Sequence, residues 1–127
     1  MNSPYPQNRL SRSAEDYLEA IGTLCKIHGQ ALVSDVAQML NVKKPSVTAA
    51  VHQLAEAGYV DYKPYAPIIL TEKGKLHAES VIRAHQTLMR FLREKAGLSP
   101  ERADEVACLM EHHLTDAEID TIAKTLS

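Results

Sequence analysis

Between residues 13 and 28 the apolar positions recur at helical spacing, Tyr17, Leu18, Ile21, Leu24 and Cys25 forming one stripe. Ser13 reads as an N-cap, Glu15 and Asp16 place acid in the first turn, and Gly29 ends the helix. A second, shorter periodic segment runs to Leu40, with Ser34 as its cap. Asn41 suits a left-handed turn, and a third helix follows over residues 44–57, with Pro45 tolerated in its first turn and Gly58 as its stop. Residues 59–63 and 68–70 then switch to strand character around a turn holding Pro64 and Pro67. Thr71 caps a long helix that Gly97 must end. Ser99-Pro100 opens another that runs to about His113, and Thr115-Asp116-Ala117-Glu118 is a capping box for a last one. The pattern predicts a mainly α chain: a winged helix-turn-helix at residues 13–72, then an all-helical unit at 73–127, with residues 1–12 as a flexible polar leader.

The helix-turn-helix reading rests on geometry. Its two helices cross closely, so the first needs a small residue, here Ala37. The turn needs positive φ four residues later, here Asn41, and the second helix needs an aliphatic anchor, here Val47. Val36, Leu40, Val42, Val51 and Leu54 are expected to complete the small core. Such a motif places its second helix in the major groove, N-terminal end toward the bases. The groove-facing candidates are Lys43, Lys44, Pro45, Ser46 and Thr48, with His52 or Gln53 nearer the backbone and Lys63 and Tyr65 on the wing reaching phosphate. Taken alone, Lys43 and Lys44 would be only a solvated turn. The motif around them favours DNA.

Composition bounds the alternatives. The 127 residues are 45% hydrophobic and 24% charged, ordinary for a globular protein, and with one Phe and no Trp the core must be aliphatic. No apolar run is long enough for a membrane span and no signal peptide opens the chain, so a cytoplasmic protein is expected. A net charge of −2 argues against a general polyanion binder but permits a local basic patch. Acid is concentrated late: residues 71–127 carry ten acidic and eight basic side chains, against six of each in residues 1–70.

That acidic half holds Cys108-Leu109-Met110-Glu111-His112-His113. On a helix Cys108, Glu111 and His112 share a face, offering thiolate, carboxylate and imidazole to one first-row divalent ion. The plainer reading makes Cys108 a small buried residue and leaves the other two exposed. In the first helix Asp16 and Glu19 also share a face, off the apolar stripe, with Ala20, Thr23 and Ile27 along the same side as though another element covered it. His85, midway along the long helix, can approach either group. The apolar spacing of Val81, Leu88, Phe91, Leu92, Val106 and Leu109 reads as a dimer interface.

The chain resembles the diphtheria toxin repressor family, and within it the manganese transport regulator branch. The resemblance is carried by SAEDYLEAI, VSDVAQMLNVKKPSVTAAVHQL, ILTEKGKLHAE, His85 before LMRFLREKAGL, and Glu111-His112-His113-Leu114. It implies a homodimer that binds double-stranded, palindromic operator DNA when divalent metal joins the first helix to the dimerisation helices. The ligands it implies are Asp16, Glu19, His85, Cys108, Glu111 and His112; His77 matches no ligand position, and His113 would stand behind the ligands. Two departures matter. The manganese branch has Glu where this chain has Cys108. The iron branch has Cys there, but Met at the position of Asp16 and no counterpart of Glu19. Thiolate favours iron and carboxylates the harder ion, so the site is a hybrid that takes Mn(II) or Fe(II), one or two per subunit, with manganese favoured. The chain also ends without the SH3-like domain of the iron branch, and Ala49 replaces a base-reading polar residue of that branch. Two rival functions are a metal-independent winged-helix regulator responding to a small organic ligand, and a metalloenzyme. Against the second, there is no phosphate loop, no nucleophile-base pattern and no His-Glu-x-x-His helix.

Overall fold

The computed structural model describes residues 10–126, so most of the expected leader lies outside the described residues. Six helices and one two-stranded sheet follow in the order α1 (Arg12–His28), α2 (Val33–Leu40), α3 (Lys44–Glu56), β1 (Val60–Asp61), β2 (Ile69–Leu70), α4 (Glu72–Glu94), α5 (Pro100–Met110) and α6 (Asp116–Lys124). They divide into two compact units, Ser11–Glu79 and the residues from Ser80 onward, and α4 contributes to both.

In the first unit the apolar stripe of α1 is buried through Tyr17, Leu18, Ile21 and Leu24, together with Val36 of α2 and Val47, Val51 and Leu54 of α3. Ala37 is buried, and Asn41 takes φ 54° and ψ 50°, the left-handed turn the motif requires. The caps differ from expectation at two places. Ser11 rather than Ser13 caps α1, because Ser11 is the residue with extended backbone (φ −60°, ψ 158°) and its hydroxyl accepts from the Ala14 N–H. Ser34 lies inside α2, whose N-cap is Leu32 with no side-chain bond. Val42 lies at the surface instead of in the core, since the chain has already left α2 at Asn41.

The wing is shorter than the strand pattern implied. Val60 pairs with Leu70 and Asp61 with Ile69, antiparallel. Ile68 turns away to bridge Ala31, its N–H donating to the Ala31 carbonyl at 2.8 Å. Pro64 and Pro67 have no N–H to extend the ladder, and Ala66 closes a turn on the Lys63 carbonyl instead. The start of α4 is tied down inside the same unit. The Thr71 hydroxyl caps it, accepting from Gly74 N–H at 3.1 Å, and donates to the Gly58 carbonyl at 2.6 Å. The Lys73 ammonium donates to the Ala57 carbonyl and lies 4.4 Å above the Tyr59 ring.

The second unit is built on small residues. Ala84, Leu88 and Leu92 of α4, Ala103 and Ala107 of α5 and Ile119 of α6 form its core, and the three alanines let the helices approach closely. α5 begins on Ser99, which accepts from Arg102 N–H, and α6 on the full Thr115–Glu118 capping box. Ser80 and Arg83 of α4 bond Asp116 and Asp120 of α6, and Arg90 donates to the Leu126 carbonyl. This packing corrects the expected dimer interface. Leu88 and Leu92 lie in the chain's own core, Val81 is buried as well, and Phe91 and Val106 pack partly against the core. Leu109 alone of the six is exposed.

Candidate metal centre and nucleic-acid interface

α5 ends at Met110, and Glu111 to His113 form a turn. Glu111 keeps helical dihedrals as the C-cap, its N–H donating to Ala107, so its carboxylate stays on the face that carries Cys108. Ligand atoms of Cys108, Glu111 and His112 lie within 4.8 Å of one another. Glu111 is the centre of this cluster. Its side chain is 0% exposed; Oε2 is 2.7 Å from His85 Nδ1 and Oε1 is 3.4 Å from His112 Nε2. A buried carboxylate between two imidazoles and beside a thiol is a donor set of the kinds that hold first-row divalent ions. The residues present therefore fit a metal. His85 also reaches outward, Nε2 lying 2.8 Å from Asp104 Oδ1. His113 is exposed.

In the first unit Asp16 and Glu19 stand one turn apart on α1, both partly buried. Of the residues expected to lie along their side, Ala20 is buried, Thr23 is half-buried and Ile27 is exposed. Their neighbour Glu15 was missed as a structural residue. It is buried, and its Oε2 lies 3.0 Å from Nε2 of His77, whose ring packs edge-on against Tyr59. Nothing in the sequence marks that pair, which is 62 residues apart. Asp104 was missed too, although it precedes Cys108 by one helical turn and spacing alone shows it.

The DNA candidates of the same unit sit at one end of α3 and on the wing. Lys43 is the N-cap residue, and Lys43, Lys44, Pro45 and Ser46 are all exposed. Thr48 is half-buried, its hydroxyl bonded back to the Lys44 carbonyl at 3.2 Å. A helix N-terminus with two lysines is an electrostatically sound place for a phosphate backbone. Lys63 is exposed, and Tyr65 projects fully into solvent from a left-handed backbone at φ 64°. His52 packs edge-on against Tyr62. Cys25 stands apart from all of this; burial pushes its thiol above the ordinary range, and Lys75 pulls it partly back.

A winged helix-turn-helix followed by a helical unit with a buried carboxylate–imidazole–thiol cluster defines a class of metal-responsive DNA-binding regulators. Two family models match: the iron dependent repressor N-terminal DNA binding domain over residues 9–68, and the iron dependent repressor metal binding and dimerisation domain over residues 71–127. The chain belongs to the iron dependent repressor family. It is 39% identical over 114 residues to an uncharacterized HTH-type transcriptional regulator of Methanocaldococcus jannaschii, covering 89% of this chain and 91% of that one. It is 38% identical over 110 residues to the HTH-type transcriptional regulator MntR of Bacillus subtilis, covering 87% and 77%. Among solved structures, a manganese-dependent transcriptional repressor in complex with manganese superposes with a TM-score of 0.80 at 26% identity, over 89% of this chain and 52% of that one. IdeR of T. acidophilum gives 0.77 at 28%, over 94% and 55%. The chain thus spans about half the length of these solved proteins. The expected resemblance and fold class both hold, and among the described residues no helix is long and apolar enough to cross a membrane.

Proposed function

We propose that this protein is a cytoplasmic, homodimeric repressor that binds a palindromic operator when loaded with Mn(II) or Fe(II), and so adjusts divalent-metal uptake or efflux. The observation that carries the reading is the Glu111-centred cluster, in which Cys108, Glu111 and His112 converge and His85 is bonded to the same carboxylate. The proposed ligands are Asp16, Glu19, His85, Cys108, Glu111 and His112. Four of them are anionic once Cys108 is ionised, and such a set repels itself unless a cation offsets the charge. When bound, the ion supplies that charge. Glu111 would fix the positions of the two imidazoles, Asp16 and Glu19 would supply oxygen ligands of the kind that favours manganese, and the Cys108 thiolate would favour iron. Lys43, Lys44, Pro45, Ser46 and Thr48 at the start of α3 approach the groove, and Lys63 and Tyr65 hold the backbone. Regulation rather than catalysis accords with relatives named as transcriptional regulators.

Metal titration of the full chain against a fluorescent chelator tests the ligand set. The expected result is one or two ions per subunit in the wild type and a loss of at least tenfold in Mn(II) affinity in Glu111→Ala and in Asp16→Ala. Wild-type affinity in either variant would remove that residue from the site.

A further inference from the structure

We propose that Asp104 is a positioning residue for His85: its carboxylate holds the Nε2–H, which leaves Nδ1 as the nitrogen that serves the metal. The inference rests on the metal-centre reading above and lies wholly within the C-terminal unit. His85 is held at both ring nitrogens, by Asp104 Oδ1 at 2.8 Å on Nε2 and by Glu111 Oε2 at 2.7 Å on Nδ1. Turning the ring over would set carbon atoms against both carboxylates, so its orientation is fixed. The two carboxylates are not equivalent. Glu111 is 0% exposed and belongs to the cluster with Cys108 and His112, whereas Asp104 is 62% exposed on the outer side of α5.

An imidazole ligand offers one lone pair and keeps a proton on its other nitrogen, and an acceptor on that proton sets both the tautomer and the ring angle. The inner nitrogen faces the donor cluster and the outer one faces a solvated carboxylate. That asymmetry assigns Nδ1 to the metal and Nε2–H to Asp104. Asp104 lies one turn before Cys108 on the same helix, so α5 supplies both a ligand, Cys108, and the group that orients the ligand from α4.

The test uses the full chain, with Asp104→Ala and Asp104→Asn, and circular dichroism to verify the fold. Zn(II) serves as a diamagnetic probe for nitrogen-15 NMR of the His85 ring, and Mn(II) affinity is read by chelator competition. The wild type should show metal at Nδ1 and a protected proton on Nε2. Asp104→Ala should lose that protection and about tenfold in Mn(II) affinity, the lower end for a residue that orients a ligand. Asp104→Asn keeps an acceptor oxygen and should stay within about threefold of wild type. Metal on Nε2, wild-type affinity in Asp104→Ala, or an equal loss in both variants would overturn the proposal. His85→Ala separates the two levels. If it binds Mn(II) as tightly as wild type, the metal-centre reading fails and this inference with it; if it is weakened while Asp104→Ala is not, only this inference fails.

Discussion

Single residues here are governed by what surrounds them rather than by type. Glu111 is fully buried between imidazoles, while Glu118, seven residues later, is an exposed helix cap. Glu111→Ala should therefore abolish the response of DNA binding to metal while leaving the fold intact, measured by operator titration with and without Mn(II). A variant that still responds would remove Glu111 from the mechanism. Lys44→Ala should weaken operator binding and flatten its salt dependence by about one phosphate contact without changing metal affinity. An unchanged operator affinity would refute the groove assignment. Tyr65 keeps a left-handed backbone at the wing tip, a conformation that costs a non-glycine residue about 1–2 kcal/mol. Tyr65→Gly should thus leave stability unharmed in a thermal melt yet weaken DNA binding. For Cys25 the sign follows from burial. A thiol whose pKa is raised in the fold binds its proton more tightly there than in the unfolded chain, so its contribution to stability falls as pH rises above the unfolded thiol value. Alkylation of Cys25 at pH 8 should accordingly be slower than for an unfolded thiol.

At the scale of elements, the helices were legible because their signals are local. Apolar spacing marked α1, and the turn and capping residues Asn41, Gly58, Thr71, Ser99 and the Thr115–Glu118 box marked the ends of the helices that follow. Ser13 reads as the cap of α1 from its place in the sequence, yet it lies in the first turn of the helix, and only the backbone of the formed helix shows that Ser11 takes that role. The strands were overestimated because the Ile68 bridge to Ala31 is a long-range contact with no sequence signature. The same holds at the site. Cys108, Glu111 and His112 share one short segment and were readable by spacing, whereas Glu15–His77 joins residues that only folding brings together. The tie between α4 and the wing gives a sharp test. A Cβ at Gly74 would lie 1.9 Å from the Tyr59 carbonyl oxygen, inside van der Waals contact with backbone that cannot easily yield. Gly74→Ala should then destabilise the protein by about 1–3 kcal/mol, the usual cost of overpacking, although alanine is otherwise the better helix former. A stability equal to or above wild type by denaturant melt would show that this contact is loose.

At the scale of the whole molecule, two units carry two chemistries: a basic helix start beside an exposed wing in one, a buried donor cluster in the other. Family membership says that such units occur together in iron dependent repressors. Under the proposed ligand set, the combination of the Cys108 thiolate with the Asp16 and Glu19 carboxylates would set the choice between Mn(II) and Fe(II). The most direct measurement is fluorescence anisotropy of anaerobically purified protein on its own upstream DNA, with chelator, with Mn(II) and with Fe(II). The account predicts tight binding only with metal, and the ion that acts at the lower concentration identifies the physiological one. Equal binding in the presence of chelator would contradict the metal switch and favour a regulator that answers to an organic ligand.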